Sequence, residues 1–146
     1  MRFVSPVLLA GLVVVACSAS AASDDDLVEY REDGMHVLGG HMGSIGAIVK
    51  GKVPFTDDLA THARGLAAQS KLVKGAFKDK AMNGDSEAKS DIWENWDDFA
   101  AKADDLESAA AEFADAAGSG DMSAIRAKVG AVGKACKGCH DDYKED

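Results

Sequence analysis

The sequence predicts an all-α protein, an antiparallel up-down-up-down four-helix bundle, on three observations. Alanine, aspartate, lysine and leucine are plentiful, while only two prolines and nine aromatic residues occur in 146, a usage that favours helix over sheet. Apolar residues recur at steps of three and four, the spacing of one helix face. Three breaks, at residues 51–56, at Asn83-Gly84-Asp85 and at Gly118-Ser119-Gly120-Asp121, divide the chain into four long segments joined by short connections.

The first helix is expected from about Asp24 to Lys50, with Leu27, Arg31, Met35, Leu38, Met42, Ile45 and Val49 on one stripe. Its glycines, Gly34, Gly39, Gly40, Gly43 and Gly46, each cost up to about 1 kcal/mol against alanine inside a helix. Close approach of a flat ring or a neighbouring helix accounts for them; a loose, frayed helix is the alternative. The second helix is expected to start at Thr56 as its cap and to carry Leu59, Ala63, Leu66, Ser70, Val73 and Phe77 along one side.

The third puts Ile92, Trp96, Phe99, Ala103, Leu106, Ala110, Phe113 and Ala117 on one face. Ser90 is its expected cap, and Asp91 and Glu94 suit the positive end of the helix dipole. The fourth repeats the spacing with Met122, Ile125, Val129, Val132, Cys136, Cys139 and Tyr143.

The first residues lie outside this fold. Arg2, the apolar run Val7 to Ala16 and the small residues Ser18 to Ala22 read as a secretory signal over residues 1–22, leaving one mature domain over residues 23–146. The run is too short for an ordinary membrane helix. Alternatively, Val14-Val15-Ala16-Cys17 resembles a bacterial lipobox, with the signal ending before Cys17 and a lipid anchor on that cysteine. Either way the mature domain is expected outside the cytoplasm, in the periplasm or anchored facing it.

Arg2 is the one basic residue before Ser23 and no acid precedes it, so the mature part holds 15 basic against 25 acidic residues, a net −10. Such a surface disfavours nucleic acid and anionic lipid, whose phosphates need clustered Lys and Arg. It serves solubility, and it could steer a basic redox partner.

The residues that carry chemistry are Cys136-Lys137-Gly138-Cys139-His140 near the end of the fourth helix. Two thiols three positions apart on a helix share one side, where they can form thioethers to the two vinyl groups of one porphyrin, and the adjoining histidine can reach the iron. A thioredoxin-like pair would want a βαβ setting. A zinc site would need a further ligand such as His41 or His62. A plain disulfide suits an exported protein but leaves His140 without a purpose. Haem c, one per chain and covalent, is therefore the expected cofactor. Met35 is the candidate for the sixth iron position, against a reading as ordinary core packing. His36 and His41 compete but fall off the inward stripe, and Met42 and Met82 are weaker.

Tyr30-Arg31, Gly46-Ala47-Ile48-Val49-Lys50-Gly51 followed by Pro54-Phe55, Ile92-Trp93, and Val132-Gly133-Lys134-Ala135-Cys136 resemble the cytochrome c prime family, the class II c-type cytochromes. The resemblance covers nearly all of the mature chain. It implies that Met35, four residues after Arg31, stands over the distal face of the haem. In the family's low-spin branch a methionine there binds iron and the protein carries electrons. In its high-spin branch the position is a bulky non-ligand, and the open iron binds nitric oxide or carbon monoxide. The resemblance also implies that Arg31 and Glu32 lie near a propionate, Glu32 standing where many members have an amide. Lys144 replaces the family's usual arginine beside the proximal face; it keeps the charge and loses the planar fork.

These readings point to an electron carrier with His140/Met35 ligation, not an enzyme, whose partners are redox proteins. The alternative is a haem protein that binds nitric oxide or carbon monoxide, or protects against nitric oxide. A homodimer is a further candidate association, whose use of the first two helices these residues do not specify.

Overall fold

The computed structural model describes residues 22–84 and 86–145. The expected signal, apart from Ala22, and Cys17 with it, lie outside the described residues. The elements are α1 (Asp24–Val49), a 3-10 turn (Thr56–Asp58), α2 (Leu59–Ser70), α3 (Val73–Ala76), α4 (Asp91–Glu94), α5 (Trp96–Ser119) and α6 (Met122–Tyr143). The long ones form a four-helix bundle in which α1 packs on α2, α2 on α5 and α5 on α6. No strand occurs among the described residues.

Ser23 and Asp26 start α1 with a capping box. The Ser23 hydroxyl oxygen accepts from the Asp26 N–H, and the Asp26 carboxylate accepts from the Ser23 N–H, which satisfies two otherwise orphaned donors. Gly51, at φ +67°, turns the chain out of α1, a left-handed conformation open to glycine at little steric cost. Gly120, at φ +74°, does the same after α5. Asp121 then opens α6 by accepting from the N–H groups of Ser123 and Ala124.

Two expected caps fail. The Thr56 hydroxyl makes no capping bond: the Thr56 N–H donates to Pro54, the Asp58 N–H donates to Phe55, and the chain winds a 3-10 turn before α2 begins. Ser90 does stand before a helix, yet its side chain caps nothing. The second and third helices are also interrupted. Ser70 Oγ donates back to the Ala67 carbonyl, a bond that competes with helix propagation, and α3 follows as a single offset turn. At Asn95 (φ −122°, ψ 44°) the backbone leaves the helical region, so α4 is a separate turn that sets Ile92 and Trp93 beneath α3.

The core holds every α5 position expected inside from Phe99 to Ala117, with Ile45, Leu66, Ile125 and Val132 against them. Phe113 and Val132 are fully enclosed. On α1 the buried set, Val28, Arg31, Leu38, Ile45 and Ile48, leaves Met35 and Met42 half-buried at its edge. The α1 glycines are not explained by close packing within the chain. A Cβ at Gly39, Gly40, Gly43 or Gly46 would meet nothing within 4 Å, and only Gly34 has a neighbour, the Gln69 amide.

Candidate functional site: a cavity between the first and last helices

On α6 the stripe is buried at Ile125, Val132 and Tyr143 but only half-buried at Val129, Cys136 and Cys139. The reason is that α6 packs tightly on α5, whereas α1 and α6 are not among the closely packed pairs. Between them lies a cavity of ≈ 480 Å³, within the size range of small-molecule and cofactor sites.

Val28, Arg31, Glu32, Met35 and His36 line it from α1, and Cys139, His140, Tyr143 and Lys144 from the end of α6. Phe77, Ile92 and Phe99 supply apolar lining from the interior, and Ser86, Glu87 and Ala88 from the loop before α4. That loop is fastened to the end of α6. The Lys89 N–H donates to the Tyr143 carbonyl at 3.0 Å, the Glu145 N–H donates to the Glu87 carbonyl at 2.8 Å, and Lys144 Nζ meets Glu87 Oε2 at 2.9 Å. Hydrogen bonding and charge from Lys144 hold the exposed Glu87 carboxyl below its ordinary range.

Arg31 is the buried charge of the site, 4 % exposed. Its Nε donates to the Ala76 carbonyl at 2.8 Å, its Nη1 to the Ala81 carbonyl at 2.7 Å and its Nη2 to the Asp79 carbonyl. The guanidinium also lies over the rings of Phe77 and Trp93, at 5.1 and 5.2 Å, and Trp93 Nε1 donates to the Phe77 carbonyl. Burial pulls its pKa down, opposed by the charges of Asp24 and Asp79. Three of its five N–H donors are thus given to backbone carbonyls, which otherwise would be left unpaired where the loop leaves α3.

Cys136 and Cys139 are free thiols, half-buried and three residues apart on α6. Burial raises both pKa values, that of Cys139 to about 11 despite Lys102 nearby. Cys139 and His140 open into the cavity, while Cys136 is not part of its lining. Tyr143 Oη donates to Asp98 Oδ2 at 2.7 Å, its ring edge-on to Phe99, and burial followed by that carboxylate raises the phenol to about 12.

The sequence-predicted residues Arg31, Glu32, Met35, Cys139 and His140 therefore meet at one cavity, with Cys136 one turn back on the same helix. His36 meets them too. His41, Met42 and Met82 do not line it; His41 pairs with His62 between α1 and α2, away from the cysteines, and no group of three or more His, Cys, Asp and Glu side chains suited to a metal ion occurs among the described residues. The sequence reading missed the loop contribution of Ser86, Glu87 and Ala88. Its one signal, the break at Asn83-Gly84-Asp85, marks a turn without saying where the turn docks.

The donor set fits a haem: a largely apolar cavity, two thiols on one helix side, an imidazole next to the second thiol, and a thioether on the facing helix. The family model described as Cytochrome C' matches residues 26–144. Cytochrome c' of Halomonas halodenitrificans is 36% identical over 132 residues, which cover 86% of this chain and all of that one. Among solved structures, cytochrome c prime from Shewanella frigidimarina superposes with a TM-score of 0.82 at 37% identity, covering 87% of this chain and 100% of its own. A nitric oxide complex of a cytochrome c prime variant from Alcaligenes xylosoxidans superposes at 0.79 with 29% identity over 87% of this chain and 100% of its own, and a carbon monoxide complex from that organism matches equally well. Similarity that spans almost the whole described bundle and the whole length of these relatives makes the chain a member of the cytochrome c prime family, a c-type cytochrome with one covalent haem.

Proposed function

We propose that the protein is a periplasmic, single-haem electron carrier in which Cys136 and Cys139 hold the haem as thioethers, His140 is one axial ligand and Met35 the other. The supporting observation is that Met35 of α1 and His140 of α6 line the same cavity. Haem iron, when bound, supplies a one-electron couple with no substrate turned over.

The chain's own residues fix the setting of that couple. Phe77, Ile92, Phe99 and Val28 exclude water from the interior side. Arg31 ties α1, the wall that carries Met35, to the chain after α3 through its three carbonyl bonds. Loop 86–89, tied to Tyr143 and Lys144, closes the lower rim. The exposed acidic surface favours a basic redox partner. Residues 1–22 act as the export signal in this reading. No helix among the described residues is long and apolar enough to cross a membrane.

A second reading rests on the nitric oxide and carbon monoxide complexes of the similar structures. In it Met35 is a bulky neighbour rather than a ligand, and a diatomic gas takes the distal position. Optical and magnetic spectra of the purified protein separate the two. A low-spin six-coordinate spectrum that turns high-spin in Met35→Ala supports the carrier. A high-spin spectrum that shifts readily with carbon monoxide supports the gas-binding reading instead.

A further inference from the structure

Arg31 is the one charged side chain that is buried among the described residues. It takes part in none of the salt bridges found among them. Buried charges are ordinarily paired with an opposite charge, whereas this guanidinium is held by three backbone carbonyls and two aromatic rings. Asp24 and Asp79, whose charges act on it, are both exposed, so water and salt screen their offset.

The carbonyls alone do not require a cation. A neutral donor would satisfy the oxygens of Ala76, Asp79 and Ala81 without the cost of desolvating a charge. The place of the charge supplies the reason, because Arg31 lines the haem cavity from the same helix as Met35. Lys144, the cavity's other basic residue with a long chain, is tied to Glu87 at 2.9 Å. Arg31 is thus the positive charge of the cavity wall that has no ion-pair partner and little contact with water.

We propose that Arg31, braced on the rings of Phe77 and Trp93, is the residue that raises the reduction potential of the haem, a role that rests on the electron-carrier reading. A fixed cation favours the state with one positive charge fewer, which is the reduced one. Across about 12 Å at an effective dielectric of about 20, one charge shifts a one-electron equilibrium roughly tenfold. Trp93 is a positioning residue. Its ring lies 5.2 Å from the guanidinium, and its Nε1 donates to the Phe77 carbonyl at 2.9 Å, tying together the two segments that carry the rings. Lys80 also stands over Trp93, at 5.7 Å, but it is exposed and its charge is screened.

Potentiometric titration of the haem-loaded protein, followed by its absorption spectrum, tests the role. Arg31→Gln loses the charge but keeps an amide donor for the carbonyls, and Arg31→Met loses both. Each is expected to lower the potential by about 59 mV, the equivalent of a tenfold change for one electron. Arg31→Lys loses the planar fork and keeps the charge, and is expected to recover most of that drop. Glu32→Gln, which removes a negative charge from the same cavity lining, is expected to move the potential upward, and the exposed Lys80→Gln to move it least. Trp93→Leu is expected to lower the potential of the wild type and to change nothing further in the Arg31→Gln background. Helical circular dichroism checks that each variant folds. An unchanged potential in Arg31→Gln, or equal drops in Arg31→Gln and Arg31→Lys, overturns the role of the charge; equal effects of Trp93→Leu in both backgrounds overturn the bracing. The spin state of the wild type reports separately on Met35: a high-spin spectrum removes the carrier reading, while the comparison of potentials still decides the role of Arg31.

Discussion

Tyr143 and Asp98 join the last turn of α6 to the first turn of α5 through a 2.7 Å hydrogen bond beneath the cavity, with the phenol donating. Burial, then Asp98, raises the phenol to about 12 from its ordinary 10. The folded state therefore holds this proton more tightly than the unfolded state. The stability it contributes is complete below pH 10 and is lost as pH rises through 12. Denaturant melts between those values are expected to show stability falling with pH, and Tyr143→Phe is expected to flatten that part of the profile.

Arg31 gives three donors to the carbonyls of Ala76, Asp79 and Ala81. Arg31→Met keeps much of the side chain's apolar volume and removes all three. Leaving buried carbonyls unpaired costs about 1–3 kcal/mol each, so a total loss of roughly 3 kcal/mol or more is expected. Urea denaturation of the haem-loaded variant measures it. An altered haem spectrum is expected to accompany the loss, because Arg31 also lines the cavity.

Phe113 is fully enclosed at the centre of the core. Phe113→Ala is expected to destabilise the bundle by about 3–5 kcal/mol, the sum of lost transfer energy and the cavity left behind. The haem spectrum is expected to stay native below the unfolding transition, since Phe113 is not part of the cavity lining.

Cys136 and Cys139 are read as two independent attachment points. Matured in a host able to attach haem, Cys136→Ala and Cys139→Ala are each expected to keep one thioether, and the denatured mass remains that of polypeptide plus haem. The double variant is expected to release its haem on denaturation. Bare polypeptide mass from the wild type is the outcome that removes the thioether reading.

Ser23 and Asp26 satisfy each other's backbone N–H at the start of α1. Ser23→Ala is expected to cost about 1 kcal/mol and to speed amide hydrogen exchange over the first turn. Its hydrogen bonds with Ser23 also hold the exposed Asp26 carboxyl below 3.8. The stability from this group is present above that value and declines as pH falls below it.

Much of the bundle was legible because helix periodicity is a local property. Phe99, Ala103, Leu106, Ala110, Phe113 and Ala117 are buried at the steps their spacing requires. The five residues from Cys136 to His140 carry a chemistry that few other arrangements need. Less legible were the interruptions at Ser70 and Asn95 and the failed cap at Thr56, because short 3-10 and single-turn pieces follow tertiary fit more than propensity. The α1 glycines find no explanation within the chain itself, where only Gly34 meets a neighbour, while Gly65 on α2 stands close against His41.

The sequence by itself determined four amphipathic helices, the thiol and imidazole run at the end of the last, and an acidic surface, since each depends on residue type and spacing along one segment. Only the tertiary structure decided that α1 and α6 stand apart enough to leave a cavity, that Arg31 turns its fork to the carbonyls of residues 76–81, and that His41 finds His62. Those relationships join residues tens of positions apart, and they are fixed by which helix faces pack and which backbone groups burial leaves needing a partner.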